Sequence, residues 1–217
     1  MDRLSAPFLA AKQRQAAWLA TMALGYFALG MLGISLAIAP GYASPIFPAA
    51  GLAVACLLWS GRRAWPAIWL GSLALNLAIP WLYGEPGLRG GLSALGVATG
   101  ATLQALAARH LVLRFVGDGW KSLETERDIL RTLLLAGPLA CLVSASLGNS
   151  TLWLVGLLDG DEMLHSWWNW WFGDALGVLV MLPLSLMLLY RQSPIWRIRL
   201  PVLLPTMLAT LLLIGTA

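Results

Sequence analysis

Seven long apolar runs divide this chain, and they constrain its fold more than any other feature of the sequence. They are Ala17–Ala39, Pro48–Ser60, Ala64–Tyr83, Gly91–Val116, Leu130–Leu158, Asn169–Tyr190 and Leu200–Ala217. Only 11% of the 217 residues are charged, which excludes a soluble domain, because such a domain needs about 25%. No run alternates with a period of two for long enough to form barrel strands. We therefore predict an all-α polytopic membrane protein with seven helical spans in the lipid bilayer.

Nearly all basic residues fall on one side of the predicted spans. If the N-terminus is cytoplasmic, Arg89 is the only one of the 14 Lys and Arg residues outside the cytoplasmic segments. This bias predicts a multi-pass protein of the bacterial inner membrane with its N-terminus in the cytoplasm. The net charge of +4 is spread over short loops, which excludes nucleic-acid binding. The first run exceeds the apolar core of a signal peptide, so we interpret it as a retained signal-anchor helix.

The end of the last run leads us to expect a longer parent chain. Seven spans that begin in the cytoplasm end outside it, and Ala217 follows the last apolar residues without a polar flank. We therefore interpret residues 1–217 as one transmembrane domain of a longer protein. A cytoplasmic domain in the remaining part would need an eighth span to return the chain to the cytoplasm.

The second run is too short for a regular span, since 13 residues form about 20 Å of helix and the hydrocarbon core is about 30 Å thick. Pro45 and Pro48 hold residues 44–47 extended. We predict an extended segment that dips into the outer half of the membrane, followed by a short helix that contains Gly51. The alternative is an ordinary outer loop above a tilted short helix.

Two further sets of residues have structural interpretations. Arg62, Arg63 and Pro66 predict a tight cytoplasmic turn that the arginines hold at the inner interface. Cys56 and Cys141 both lie inside apolar runs, where cysteine behaves as a small buried hydrophobe. We therefore predict no disulfide, no metal site and no cofactor.

Glycines and prolines inside the apolar runs predict how the helices pack. Gly173 and Gly177 have the four-residue spacing that allows a close approach between helices. Pro138 in the fifth run and Pro183 in the sixth are expected to kink their helices, or to be accommodated by neighbouring helices. These motifs are common in apolar sequences, so they do not identify a particular packing partner.

Asp174 is the only acidic residue well inside an apolar run, about five residues and roughly 7.5 Å below the start of the sixth run. An ionisable group at membrane depth is costly and often functional. Asn76 and Asn149 lie at similar predicted depths, and Gln104 lies nearer the middle of the membrane. We predict that these side chains form one ligand-binding polar layer in the outer half. The alternative is a neutral Asp174 that only hydrogen-bonds two helices together.

Four tryptophans in residues 167–171 come directly before Asp174. We predict that Trp168 and Trp171, one helical turn apart, form an aromatic wall over a pocket whose floor is Asp174. The alternative is an aromatic belt that anchors the helix at the interface. In the preceding loop, Glu162 and His165 have a spacing that can present two metal ligands, but di-metal bundles need this motif twice. A hydrated acidic loop is the preferred interpretation.

The chain resembles the MASE1 membrane-associated sensor domain in three stretches. These are residues 44–51 (SPIFPAAG), residues 61–66 (GRRAWP) with the following residues 68–72 (IWLGS) and Asn76, and residues 171–177 (WFGDALG) with the later Pro183. The resemblance implies an input module of about eight helices, usually N-terminal, that is joined to a cytoplasmic diguanylate cyclase, phosphodiesterase or histidine kinase domain. A similar hexose-phosphate sensor kinase works beside a transporter-like protein, so a membrane protein partner is also implied. The ligand is not.

The leading hypothesis is a sensory input domain. A stimulus or partner binds the outer polar layer, and a shift between helix packings regulates a cytoplasmic output through cyclic-di-GMP turnover or a two-component system. A homodimer is expected because cyclase and kinase outputs act as dimers. No nucleophile–base pair or phosphate-binding loop is present, so no catalytic residue is predicted. The alternatives are a small transporter-like component with Asp174 on a substrate or proton path, and a scaffold that only anchors its effector.

Overall fold

The computed structural model describes residues 5–36, 44–83 and 87–190, together with the single residues 194, 198, 201 and 205. Within these residues the only regular secondary structure is helical, which confirms the predicted all-α class. A π-turn at Leu135–Leu139 joins the fifth helix to the sixth. The helices are α1 (Ser5–Ser35), α2 (Pro48–Ser60), α3 (Trp65–Tyr83), α4 (Leu88–Phe115), α5 (Glu126–Leu134), α6 (Ala140–Leu154) and α7 (Met163–Leu189).

Five stretches of the described chain are long and apolar enough to cross a membrane. They are Gln13–Ser35, Arg62–Leu82, Leu88–Phe115, Glu126–Leu154 and Met163–Leu189. The second predicted run is a helix with the predicted bounds, Pro48–Ser60, and is too short to cross alone. The seventh predicted run, Leu200–Ala217, lies outside the described residues except at two positions, so the count of seven spans is not confirmed.

Helix α7 begins at Met163, six residues before the predicted start at Asn169. Neither proline nor glycine interrupts residues 163–171, so the helix continues through the tryptophan-rich stretch. Hydropathy locates the apolar part of a helix, and it misses polar turns that extend beyond that part. Asp174 is therefore eleven residues along α7, which places it about 16 Å from the start of the helix instead of the predicted 7.5 Å.

The chain reverses direction at each connection except the π-turn, where α5 continues into α6, so the bundle has two ends, which we call the Arg89 end and the Arg62 end. At the Arg89 end, the α3–α4 and α6–α7 connections are neighbours, since a methyl group added to Gly156 would lie 3.7 Å from the Arg89 guanidinium. At the Arg62 end, a 3-10 turn joins α2 to α3. Arg62 and Arg63 are exposed in this turn and Pro66 lies in the first turn of α3, which confirms the predicted tight turn.

The short helix α2 lies in the middle of the bundle. Ten of its 13 residues are buried, and it packs mainly against α7, with α1 and α4 beside it. Its residues are mostly small and all uncharged, which lets its neighbours approach closely. A methyl group added to Gly51 would lie 2.6 Å from the carbonyl oxygen of Gly177. Because protein rather than lipid surrounds α2, its length does not have to match the bilayer thickness.

Residues 44–47 form a non-helical segment that packs across α7. We call these four residues the extended segment, after their predicted conformation. Ser44 is buried, and the Phe47 amide donates a hydrogen bond of 2.9 Å to the Gly173 carbonyl oxygen. Methyl groups added to Gly173 and Gly177 would overlap the carbonyl oxygens of Ser44 and Phe47. Of the two interpretations of the second run, this packing supports the segment that lies inside the protein. Gly173 and Gly177 were predicted to allow a close approach between helices. In the structure they mainly make room for the backbone of the extended segment.

The two prolines inside long helices have different effects. Pro138 lies in the π-turn between α5 and α6, as expected of a proline that distorts a helix. The indole Nε1 of Trp171 donates a hydrogen bond of 2.8 Å to the Pro138 carbonyl oxygen, which satisfies an acceptor at the turn. Helix α7, in contrast, remains α-helical through Pro183.

A side chain from α4 caps the C-terminus of α2. The Arg109 Nε donates a hydrogen bond of 3.0 Å to the Leu57 carbonyl oxygen, and the Gly61 amide donates one of 3.0 Å to the same oxygen. The guanidinium there also faces the negative end of the helix dipole. From α1, the Trp18 Nε1 donates a hydrogen bond of 2.9 Å to the Ser60 Oγ. These bonds hold this end of α2 between α1 and α4.

Candidate functional site

A cavity of about 610 Å³ lies between the extended segment and the helices α1, α2, α3, α4, α6 and α7. Its volume falls within the range of small-molecule sites, roughly 300–1,000 Å³. The exposed residues Leu88 and Arg89 line it at one end of the bundle. From there the lining continues along one face of α4 to Gln104. Sixteen residues separate Leu88 from Gln104, so the cavity extends over about 24 Å of helix.

The deep end of the cavity is polar. The Asn76 Nδ2 donates a hydrogen bond of 2.8 Å to the Ser72 carbonyl oxygen, and the Gln104 Nε2 donates one of 3.4 Å to the Cys141 Sγ. Both amide side chains are therefore held in place by the protein while they line the cavity. We call the polar side chains of this region the polar floor; they are Tyr26, Ser72, Asn76, Gln104, Ser144 and Asp174.

Asp174 is the only carboxyl group in the described lining. It is 4% exposed, and its Oδ2 lies 2.5 Å from the Ser144 Oγ. That hydroxyl also lies 3.1 Å from the Cys141 carbonyl oxygen, and one hydroxyl proton cannot serve both acceptors. The Trp170 indole is a second hydrogen-bonding neighbour. Among the described residues no Lys or Arg pairs with Asp174, so its environment has donors but no compensating positive charge.

Apolar residues line the cavity between the Arg89 end and the polar floor. On α1, Ile34 follows Tyr26 by eight residues, and on α6, Leu152 follows Ser144 by eight residues. Both helices run towards the Arg89 end, so each apolar residue lies about 12 Å closer to that end than its polar counterpart. We call this zone the apolar collar; its residues are Ile34, Ile79, Pro80, Val97, Leu152 and Leu157.

The arrangement of these two zones is suited to binding an amphipathic molecule. A ligand that reaches the polar floor from the Arg89 end places its remaining atoms in the apolar collar. Burial of those atoms favours binding in proportion to their apolar area. The polar end of the ligand then exchanges hydrogen bonds with water for hydrogen bonds with the floor, which avoids the cost of burying an unpaired polar group.

Three predicted site residues line the same cavity, namely Asp174, Asn76 and Gln104. Asn149 is not among the lining residues. Its Nδ2 donates a hydrogen bond of 2.9 Å to the Ala145 carbonyl oxygen, and its buried Oδ1 has no hydrogen-bond partner in the described part of the chain. Asn149 therefore lies outside the set of polar residues that line the cavity, and ligand binding by the other three residues stays a prediction.

The tryptophan that lines the cavity is Trp170, where Trp168 and Trp171 were predicted. Trp168 is 52% exposed, and the Trp171 indole is bonded to the π-turn. The physical reason lies on α6: a methyl group added to Gly148 would lie 2.7 Å from the Trp170 ring, so the absence of a side chain at Gly148 makes room for this ring. The only signal in the sequence is that Trp170 precedes Asp174 by four residues, which places both on one helix face.

Sequence reasoning also missed Tyr26 and Ser72. Tyr26 is 1% exposed, and its hydroxyl group is a hydrogen-bonding neighbour of the Ser72 side chain. Gly71 brings the two helices together, because a methyl group there would lie 2.6 Å from the Ala23 carbonyl oxygen of α1. A tyrosine inside an apolar run was the available signal, since a buried phenol group usually needs a polar partner.

The acidic loop before α7 shows no metal site in the described residues. His165 is exposed, and its Nε2 lies 2.9 Å from the Asn169 Nδ2, one helical turn further along α7. No group of three His, Cys, Asp or Glu side chains in the described ranges is arranged to hold a metal ion. The alternative of a metal site at Glu162 and His165 therefore gains no support from this geometry.

A family model described as MASE1 matches residues 18–217, which is nearly the whole chain. The matched range includes the extended segment, the turn at the Arg62 end and the cavity residues of all six helices. No curated protein and no solved structure matches the chain.

Proposed function

Since the chain belongs to the MASE1 family of membrane-associated sensor domains, we propose that it is the sensory input domain of a signalling protein. A MASE1 domain is an input domain and is not itself catalytic. In this proposal a stimulus binds in the cavity and regulates a cytoplasmic output, either cyclic-di-GMP turnover or histidine kinase activity. The observation that carries the proposal is a 610 Å³ cavity whose deep end contains the buried carboxyl group of Asp174.

In this proposal, helix α2 links the cavity to the opposite end of the bundle. Phe47 and Ala50 line the cavity at the first turn of α2, and Arg109 caps its last turn. A ligand that moves the extended segment on α7 therefore displaces one end of a rigid helix. Packed interfaces switch between discrete arrangements rather than deform continuously, so this displacement reaches the turn at the Arg62 end.

The proposed location is the bacterial inner membrane, with the N-terminus and the Arg62 end in the cytoplasm. The support for this orientation is the distribution of basic residues, of which Arg89 alone lies on the other side. The Arg89 end of the cavity then faces the outside, and the stimulus is extracytoplasmic. Large apolar side chains such as Leu24, Leu70 and Leu103 are exposed along the helices, which suits contact with lipid.

Two substitutions on the polar floor test the proposed function in the full-length protein in its host cell. Asp174→Asn removes the charge at nearly constant size, and Asn76→Leu removes a different polar group. We expect each to change the basal output severalfold, because each alters the relative stability of the two helix packings. The measurement is the cellular cyclic-di-GMP level, or kinase autophosphorylation if the output domain is a kinase, at equal abundance in the membrane.

Asp159→Asn is the matched control for this experiment. It makes the same chemical change in the exposed loop before α7, at a residue that is not among those lining the cavity, and is expected to leave the output unchanged. If both floor variants reach the membrane normally and signal like the unsubstituted protein, the cavity is not the sensory site.

A further inference from the structure

The polar floor contains an acid without a compensating charge. In the described part of the chain, the Asp174 carboxyl group has the Ser144 hydroxyl and the Trp170 indole as hydrogen-bonding neighbours. A buried carboxylate is stabilised most effectively by a positive charge with hydrogen-bond donors. Arg89 is the only Lys or Arg in the described lining, and it is exposed about 22 Å along α4 from Gln104. The compensating charge can therefore come from a ligand.

The described lining also contains three aromatic rings, those of Tyr26, Phe47 and Trp170. The Tyr26 and Phe47 rings meet edge to face, with their centroids 6.3 Å apart. The Trp170 indole is next to the Asp174 carboxyl group. The faces of aromatic rings attract organic cations and repel anions. A carboxyl group among aromatic rings is therefore suited to an ammonium group and unsuited to a carboxylate or phosphate.

The apolar collar determines what the ammonium group is attached to. A hydrated inorganic cation would leave the collar unfilled, and a polyamine would place further charges among Ile34, Ile79 and Leu152, where no described group compensates them. A molecule with one amine and an apolar body fills both zones. Its body loses contact with water in the collar, which favours binding.

We propose that the cavity binds organic amines of this kind, with the ammonium group at Asp174 and an apolar or aromatic body in the collar. This inference rests on the proposed sensory function and names the ligand class of the same site. Arg89 does not exclude a cation, because it is exposed at the mouth of the cavity, where water and salt screen its charge.

The test compares three probes of similar shape on the purified full-length protein in lipid nanodiscs at neutral pH. They are 2-phenylethylamine, which is a cation, neutral 2-phenylethanol, and the anion 3-phenylpropionate. Binding is measured by isothermal titration calorimetry. We expect the amine to bind at least about tenfold more tightly than the alcohol, and the anion to bind most weakly. Equal binding of the amine and the alcohol, or tighter binding of the anion, overturns the proposal.

Substitution of Asp174 shows whether the preference for the amine arises at this carboxyl group. In Asp174→Asn we expect the affinities for amine and alcohol to fall within about twofold of each other, while Asp159→Asn keeps the tenfold ratio. An amine preference that persists in Asp174→Asn also overturns the proposal. If the Asp174→Asn variant does not fold, the ranking of the three probes on the unsubstituted protein decides whether the cavity prefers amines.

The outcome for the ligand class can be separated from the outcome for the proposed function. If the amine does not bind preferentially but Asp174→Asn and Asn76→Leu still change the output, the amine proposal is wrong and the sensory function stands. If the probes show no preference and neither variant changes the output, both proposals are wrong.

Discussion

Gly177→Val is expected to destabilise the folded protein by about 3 kcal/mol, the upper part of the usual range for an overpacked core. Any side chain at Gly177 overlaps the Phe47 carbonyl oxygen of the extended segment. Because this obstacle is backbone, no side-chain rotation relieves the overlap, and either the segment or α7 must move. Gly51 of α2 packs against the same turn of α7, so the displacement also disturbs the central helix. The measurement is the apparent Tm of the purified protein in detergent.

Gly91→Ala is the matched control for this substitution. Gly91 lies in α4, and an added methyl group meets nothing within 4 Å beyond its own helix. Alanine is the better helix former by about 1 kcal/mol, so this variant should melt at the same or a higher temperature. If the Gly177→Val and Gly91→Ala variants have the same apparent Tm, the extended segment does not pack on α7 as described.

Arg109→Ala is expected to have the second largest effect, a loss of about 1.5–3 kcal/mol, which is typical of a hydrogen bond from a charged group. The substitution removes the 3.0 Å bond from the Arg109 Nε to the Leu57 carbonyl oxygen. It also removes a positive charge from the negative end of the α2 dipole, next to the buried residues Leu57 and Leu58. The apparent Tm of the purified protein in detergent again reports the effect.

Arg114→Ala is the matched control, which distinguishes the loss of the α2 cap from a general effect of removing a positive charge. Arg114 lies on the same helix five residues further on, where its side chain is exposed. We expect its removal to change the stability by less than about 0.5 kcal/mol. A similar loss of stability in both variants would show that Arg109 does not act through the bond to Leu57.

The helices could be predicted from the sequence because hydropathy and proline directly report local structure. The bounds of Pro48–Ser60 agree with α2, and the residues before it are non-helical, as Pro45 and Pro48 predicted. The central position of α2 could not be predicted, because hydropathy does not distinguish a helix surrounded by lipid from one surrounded by protein. The packing partner of Gly173 was missed for a related reason. The four-residue spacing of Gly173 and Gly177 indicates a close contact, but it does not indicate which part of the chain makes that contact.

The cavity could be predicted only in part. Asp174, Asn76 and Gln104 stand out because a polar side chain inside an apolar run is unusual, and all three line the cavity. Tyr26 and Trp170 do not stand out in this way, because aromatic residues are common in membrane helices. Which tryptophan faces the cavity depends on the rotation of α7 against α6, and a single sequence does not contain that information.

Accessibility of the deep cavity from water tests the central claim most directly. Ala101→Cys places a thiol on the lining close to the polar floor, and Leu103→Cys places one on the exposed outer face of the same helix. The native Cys56 and Cys141 are buried, so the unsubstituted chain provides the background. In nanodiscs we expect the cationic trimethylammonium-ethyl methanethiosulfonate to modify Ala101→Cys faster than the anionic sulfonato-ethyl reagent. Asp174→Asn should abolish this preference, and Leu103→Cys should react with neither. An Ala101→Cys thiol that is as unreactive as that of Leu103→Cys would contradict the account.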